Sequence, residues 1–162
     1  SYARFADIEG VDYGEYVRSG TWSMTFWIKP LVDREMRFLV LRQNGVGITH
    51  LTNRGLLSNA FINIPFDLTK DTWHFFAFSV DDHHWTMHTS INGLALDATY
   101  VGEWNTSSLT SNRMFLGANN GGDTQPDTNA FWWDGYARKV TIDDGPLTGE
   151  DVTTIYNLSR PS

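Results

Sequence analysis

Apolar and polar residues alternate along this chain in short runs, and clusters of Gly, Asn, Asp and Pro separate the runs. Successive side chains of an extended strand point to opposite sides. In the clearest run, one face therefore carries Trp22, Met24, Phe26 and Ile28. Pro30 is expected to end this strand. Helical periodicity is nearly missing, so the pattern predicts an all-β domain.

The same alternation predicts further strands over residues 37–42, 47–52, 57–62, 73–80, 85–91, 94–100, 114–117 and 132–142. Residues 73–80 are apolar on both faces, which is typical of a central strand that is covered on each side. Asn92 and Gly93 favour a tight turn, so three consecutive strands are expected to form a meander. We expect two antiparallel layers with Phe26, Phe76 and Met87 between them.

The helix signal comes near the end of the chain. Thr148 can cap a helix and Asp151 completes a capping box. Val152, Ile155 and Tyr156 then share an apolar stripe, so we expect a short C-terminal helix.

Length and composition limit the classes of protein. The chain has 162 residues, of which 41% are hydrophobic, and this is enough for a single domain over residues 1–162. Its net charge of −7 argues against a nucleic-acid partner. There is no Cys to form a disulfide, and no apolar run is long enough for membrane insertion. Because the chain lacks an initiator Met, we expect a domain excised from a larger protein.

Several motifs occur in an order that resembles a known family. They are Phe5 and Tyr16-Val17 in a first strand, Thr-Phe-Trp-Ile-Lys-Pro at 25–30, Asp-Thr-Trp-His-Phe-Phe-Ala at 71–77, Ser-Ile-Asn-Gly at 90–93, Leu-Gly-Ala-Asn at 116–119, Trp-Asp-Gly at 133–135, Val-Thr-Ile at 140–142 and Leu-Thr-Gly-Glu-Asp-Val at 147–152. The chain thus resembles laminin G-like domains of the concanavalin A-like lectin/glucanase superfamily.

This resemblance implies an antiparallel two-sheet jelly-roll sandwich, with a concave and a convex sheet, a fold that serves lectins, receptor modules and some glycanases. Residues 136–139 depart from the family's usual acidic and hydrophobic pattern, so no calcium role is carried over to them.

Catalytic patterns are missing from the sequence. Glycanases of this fold need two carboxylates about 5–5.5 Å apart for retention, commonly on an E-x-D-x-x-E strand, and no such run occurs. Only Asp7 and Glu9 place two carboxylates on one strand face. The five His residues lack a convincing zinc spacing, and His74 is expected to order a strand end. We therefore expect a protein that is not an enzyme.

The loops supply candidate binding residues. Trp104 lies in a polar connection, and Trp132 is expected opposite the core residue Trp133, beside Asn119 and Asn120. Each tryptophan also has a structural interpretation, in which Trp104 folds back over a sheet edge and Trp132 caps a sheet.

The same loop could hold Ca²⁺ through Asp123 and Asp127, although turn chemistry also explains its composition. No D-x-D-x-D-G pattern supports the metal site.

Two functions remain open. The first is a carbohydrate-binding, lectin-like module of an extracellular, cell-surface or virion-surface protein. The second is a structural or protein-interaction domain, such as a capsid decoration or an adhesion appendage. The partner is accordingly a glycan or a surface protein, and the sequence leaves the oligomeric state open.

Overall fold

The structure of the protein is a computed structural model that describes residues 3–4, 20–43, 46–52, 55–58, 62–65, 67–103, 113–116, 119–120, 126–127 and 133–161. Within these ranges the chain is mostly β. The strands are β1 (Ala3–Arg4), β2 (Trp22–Pro30), β3 (Arg37–Gln43), β4 (Val46–Thr52), β5 (Gly55–Ser58), β6 (Ile62–Pro65), β7 (His74–Asp81), β8 (His84–Ser90), β9 (Asp97–Glu103), β10 (Arg113–Leu116), β11 (Asn119–Asn120), β12 (Pro126–Asp127) and β13 (Gly135–Asp143). They are followed by the helix α1 (Gly149–Ser159).

The longer strands form two antiparallel sheets. The five-stranded sheet has the order β13-β2-β7-β8-β9, so β13 lies at an edge and β7 in the centre. The six-stranded sheet has the order β1-β10-β3-β4-β5-β6, and β11 pairs with β12 in a separate two-stranded ladder. Sequential pairing of β7, β8 and β9 confirms the predicted meander.

The five-stranded sheet is buried on both faces along its central strands β2 and β7. Its inner face carries the three residues chosen from the sequence as core, and all three are buried: Phe26, Phe76 and Met87. Phe26 lies 5.0 Å from Phe38 of the six-stranded sheet, measured between ring centroids. Aromatic side chains of both sheets therefore meet, and Trp133 joins them as the sequence predicts.

Two tight turns depend on left-handed backbone. Asp82 and His83 have φ values of 45° and 65° between β7 and β8, which matches the right-handed twist of a hairpin. Asn92 and Gly93 have φ values of 54° and 77°, which confirms the predicted turn.

Three predicted strands are wrong in their bounds. Residues 57–62 belong to two strands, because Ser58 pairs with Ile62 across an antiparallel hairpin, and alternation alone does not detect such a reversal. The strand expected over 94–100 begins at Asp97, since Leu94 donates its N–H to the Ile91 carbonyl within the turn. The strand expected over 132–142 begins at Gly135.

Helix α1 begins as the sequence predicts. The Thr148 hydroxyl accepts the Asp151 N–H at 3.1 Å, and the Asp151 carboxylate accepts the Thr148 N–H at 3.0 Å. Val152 is buried against the outer face of the five-stranded sheet, beside Trp27 and Phe75. The helix thus covers part of the face that points away from the core.

Candidate functional site

The predicted rim residues are only partly described. Backbone pairing joins Asn119 to Asp127 and Asn120 to Pro126 in the ladder of β11 and β12, which lies beside β3. The structure therefore brings together residues that the sequence assigns to sugar and calcium binding. Trp104, Asp123 and Trp132 lie outside the described residues, as do Asp7 and Glu9.

Calcium binding is not tested by the described residues. Within them, no group of three His, Asp or Glu side chains is arranged to hold a metal ion, and this range omits Asp123. The calcium site at Asp123 and Asp127 stays a prediction.

A row of three large side chains lies on the outer face of the five-stranded sheet, on β13, on β2 and just before β7. Tyr136 of β13 is the direct partner of Lys29 in β2. Ile28 is the direct partner of His74 in β7, so Lys29 lies level with Trp73, the residue that precedes β7. We call Lys29, Trp73 and Tyr136 the platform.

The platform brings an ammonium group close to two aromatic rings. The Lys29 Nζ lies 5.8 Å from the Trp73 ring centroid and 5.9 Å from the Tyr136 ring centroid. The two rings are 6.5 Å apart and inclined by 35°. These distances are within the range of cation–π attraction. Tyr136 is 55% exposed, and no carboxylate of the described residues forms an ion pair with Lys29.

Gly135 is needed to place Tyr136. A Cβ at Gly135 would lie 2.3 Å from the Lys29 carbonyl oxygen, so a larger residue would push β13 away from β2. The close approach keeps Tyr136 in register with Lys29. On β13, which is an edge strand, this tyrosine stays open to solvent.

Two exposed carboxylates flank the same end of the sheet. The Asp71 N–H donates to the Pro30 carbonyl at 2.7 Å, and the Leu31 N–H donates to the Asp134 carbonyl at 2.9 Å. Both aspartates are exposed and lie next to the residues that follow Lys29. The surface therefore combines apolar rings, a cationic donor and anionic acceptors.

His74 fixes the loop that leads to Trp73. It is completely buried, and its Nε2 lies 2.9 Å from the Thr69 carbonyl while the Asn92 N–H donates to its Nδ1 at 3.0 Å. Burial lowers the pKa of His74, and the hydrogen bond to Thr69 opposes this shift. The prediction that His74 orders a strand end is confirmed.

Sequence reasoning missed the platform, although a signal was present. Trp133 was assigned to the core, and alternation from it places Asp134 and Tyr136 on the opposite face. Likewise, alternation from Phe76 places Trp73 on the outer face. The pairing of β13 with β2, which brings the three side chains together, cannot be deduced from either run alone.

No protein-family model and no curated protein matches the sequence. Solved structures do match. A heptameric SAP-like pentraxin from Limulus polyphemus has a TM-score of 0.58 and 15% identity, over 84% of this chain and 69% of that one. Domain 4 of AbnA, an extracellular arabinanase from Geobacillus stearothermophilus in complex with arabinotriose, has a TM-score of 0.53 and 20% identity, over 84% and 66%.

Trypanosoma rangeli sialidase, in complex with 2,3-difluorosialic acid, has a TM-score of 0.57 and 11% identity, over 88% of this chain and 23% of the sialidase. The chain thus spans about two thirds of the first two structures and under a quarter of the sialidase. At these identities the similarity shows the fold alone. It does not single out laminin G-like domains.

Within the described ranges, no helix has the length and apolar character needed to cross a membrane.

Proposed function

We propose that the protein is a non-catalytic carbohydrate-recognition module that binds a sugar on the platform. The observation that carries this proposal is the exposed Tyr136 ring, held beside Trp73 with the Lys29 ammonium close to both. A sugar ring has apolar C–H faces bordered by hydroxyl groups. It therefore binds where an aromatic surface lies beside polar donors and acceptors.

The groups around the platform can donate hydrogen bonds to sugar hydroxyls and can also accept hydrogen bonds from them. Lys29 provides a donor, because an ammonium has three N–H groups and no acceptor. Asp71 and Asp134 provide exposed acceptors at the same end of the sheet. A neutral sugar could thus stack on Tyr136 and exchange hydrogen bonds with both kinds of group.

The fold supports the same function. We infer that the two antiparallel sheets form a jelly-roll sandwich of the laminin G-like kind, on an extracellular, cell-surface or virion-surface protein. The contact between Phe26 and Phe38 supports this packing. The similarity to an extracellular arabinanase domain bound to arabinotriose supports a carbohydrate ligand and a location outside the cell.

The test is a glycan array, with arabinotriose and sialic acid among the sugars, followed by calorimetry in the presence and absence of Ca²⁺. Tyr136→Ala should weaken binding about tenfold, which corresponds to ~1.4 kcal/mol of lost stacking. Leu158→Ala is the matched control, because Leu158 is 84% exposed on α1 and belongs to no part of the platform.

Failure of every sugar to bind with and without Ca²⁺ would contradict the proposal, as would unchanged binding by Tyr136→Ala. Trp104→Ala and Trp132→Ala test the rim loops in parallel. Loss of binding in these variants alone would place the site at the loops predicted from the sequence.

A protein-interaction domain is the second candidate. It is favoured by two large apolar side chains that the structure exposes to solvent, Leu94 and Leu158, at 66% and 84%. A symmetric oligomer in solution that dissociates in Leu158→Asp would support this function. A monomer that is unchanged by the substitution would argue against it.

A further inference from the structure

A closed set of hydrogen bonds joins the loop before β7 to the turn after β8. His74 contacts the Thr69 carbonyl through Nε2 and accepts the Asn92 N–H at Nδ1. The Asn92 side chain completes the set: its Oδ1 accepts the Thr69 N–H at 2.8 Å and its Nδ2 donates to the Asp67 carbonyl at 2.7 Å. Three of these four hydrogen bonds hold residues 67–69, and the fourth joins Asn92 to His74.

These contacts require one protonation state of His74. The Asn92 N–H is a donor, so Nδ1 must accept and carries no proton. The Thr69 carbonyl is an acceptor, so Nε2 must carry the proton. A second proton would place an N–H on Nδ1 directly opposite the Asn92 N–H. The protonated ring is therefore incompatible with this hydrogen bond.

The loop that these hydrogen bonds hold in place ends at the platform. Trp73 is the chain neighbour of His74 and contacts Lys29 and Tyr136 on the outer face. The hydrogen bond from the Asp71 N–H to the Pro30 carbonyl is independent of His74 and Asn92. Asp71 has a φ of 61°, so this part of the loop keeps a conformation that its sequence disfavours.

We propose that neutral His74 is a positioning residue for Trp73, so that protonation of His74 loosens the 67–73 loop and weakens binding at the platform. The binding part of this inference rests on the proposed function. The positioning part concerns the free protein and stands without it.

The charged groups near His74 do not compensate an added proton on the ring. Asp67, Lys70 and Asp71 on the loop are exposed, and Lys29 of β2 projects to the outer face while His74 lies on the inner side of the sheet. The turn at residues 91–93 contributes no charged side chain. Burial accordingly lowers the pKa of His74 from its ordinary value of 6.5. The neutral ring therefore persists into mildly acidic solution, and we expect the 67–73 loop to loosen only below pH 6.5.

The experiment compares the wild-type protein with His74→Gln by NMR during an acid titration. Glutamine can donate from Nε2 and accept at Oε1, but it does not titrate. In the wild type, the Trp73 indole N–H and the Asn92 amide should shift together with the His74 ring. In His74→Gln both signals should stay constant. Circular dichroism at each pH shows that the protein remains folded.

A Trp73 indole signal that stays constant while the His74 ring titrates would overturn the positioning role. If His74→Gln does not fold, Asn92→Gly replaces it, since glycine accepts the same left-handed backbone and removes both side-chain bonds to the loop. This variant should shift the Trp73 indole signal at neutral pH, and an unchanged signal would again overturn the inference.

Binding provides the second readout, on the glycan array used above. One pH unit below the native pKa of His74, wild-type binding should be roughly tenfold weaker, because about one molecule in ten keeps the neutral ring. His74→Gln should bind the sugar with the same affinity at neutral pH and at this lower pH. Equal pH dependence of the two proteins would overturn the inference while the proposed function stands. A lack of sugar binding at neutral pH would instead contradict the proposed function, and the NMR titration would still decide the role of His74.

Discussion

Replacing Ser159 by alanine should destabilise the protein by leaving a buried tryptophan without its acceptor. Ser159 is the last residue of α1, and its Oγ accepts the indole N–H of Trp27 at 2.8 Å. Trp27 is only 4% exposed, stacked on Tyr156 and tilted against Phe75. The described side chains around Trp27 therefore leave water little access to its indole N–H when the Ser159 hydroxyl is removed.

The expected cost follows from this burial. A buried donor that loses its acceptor costs about 1–3 kcal/mol, whereas an exposed one is satisfied by water. Thr153→Ala is the matched control. Both hydroxyls donate to the carbonyl four residues earlier, that of Ser159 to Ile155 and that of Thr153 to Gly149, but Thr153 is exposed. It should change stability by less than about 0.5 kcal/mol.

Urea unfolding monitored by circular dichroism gives both free energies, and an unchanged slope would show that the two states keep their compactness. In a Trp27→Phe background, Ser159→Ala should cost less, since the donor is already gone. If Ser159→Ala costs no more than Thr153→Ala, or costs the same in both backgrounds, the hydrogen bond does not anchor the helix and the reasoning fails.

Two further substitutions test local features of the fold by the same unfolding assay. Thr148→Ala removes one half of the capping box with Asp151 and should cost about 1 kcal/mol, and no loss would show that the helix start does not depend on its cap. Gly102→Ala would place a Cβ 2.7 Å from the indole of Trp85 and should cost about 1–3 kcal/mol by overpacking. Gly145→Ala, where a Cβ meets nothing within 4 Å, is its control and should be nearly neutral.

Sequence patterns predicted the elements whose signal is local. Alternation assigned Trp22, Met24, Phe26 and Ile28 to the core face of β2, and all four are buried there. The capping box at Thr148 predicted the first turn of α1 for the same reason, since its partners are three residues apart.

Features that depend on pairing between distant segments were not predicted. Alternation from Phe26 and Ile28 places Trp27 on the face away from the core. It does not show that α1 covers this tryptophan, because residues 27 and 159 are brought together only by the fold. The platform was missed for the same reason, and the strand at 57–62 was wrong because a hairpin and a single strand can share one alternating pattern.

The end of α1 divides the outer face into a closed and an open part. Trp27 and Lys29 lie on the same face of β2, two residues apart, yet the first is buried under the helix and the second contacts the platform rings. The helix stops at Ser159 because Arg160 precedes Pro161 and adopts an extended conformation with ψ of 131°. One more turn would lengthen the helix by about 5.4 Å. This is close to the distance between residues i and i+2 of a strand. The helix, which ends before the proline, thus covers Trp27 and leaves Lys29 beside the rings of Trp73 and Tyr136.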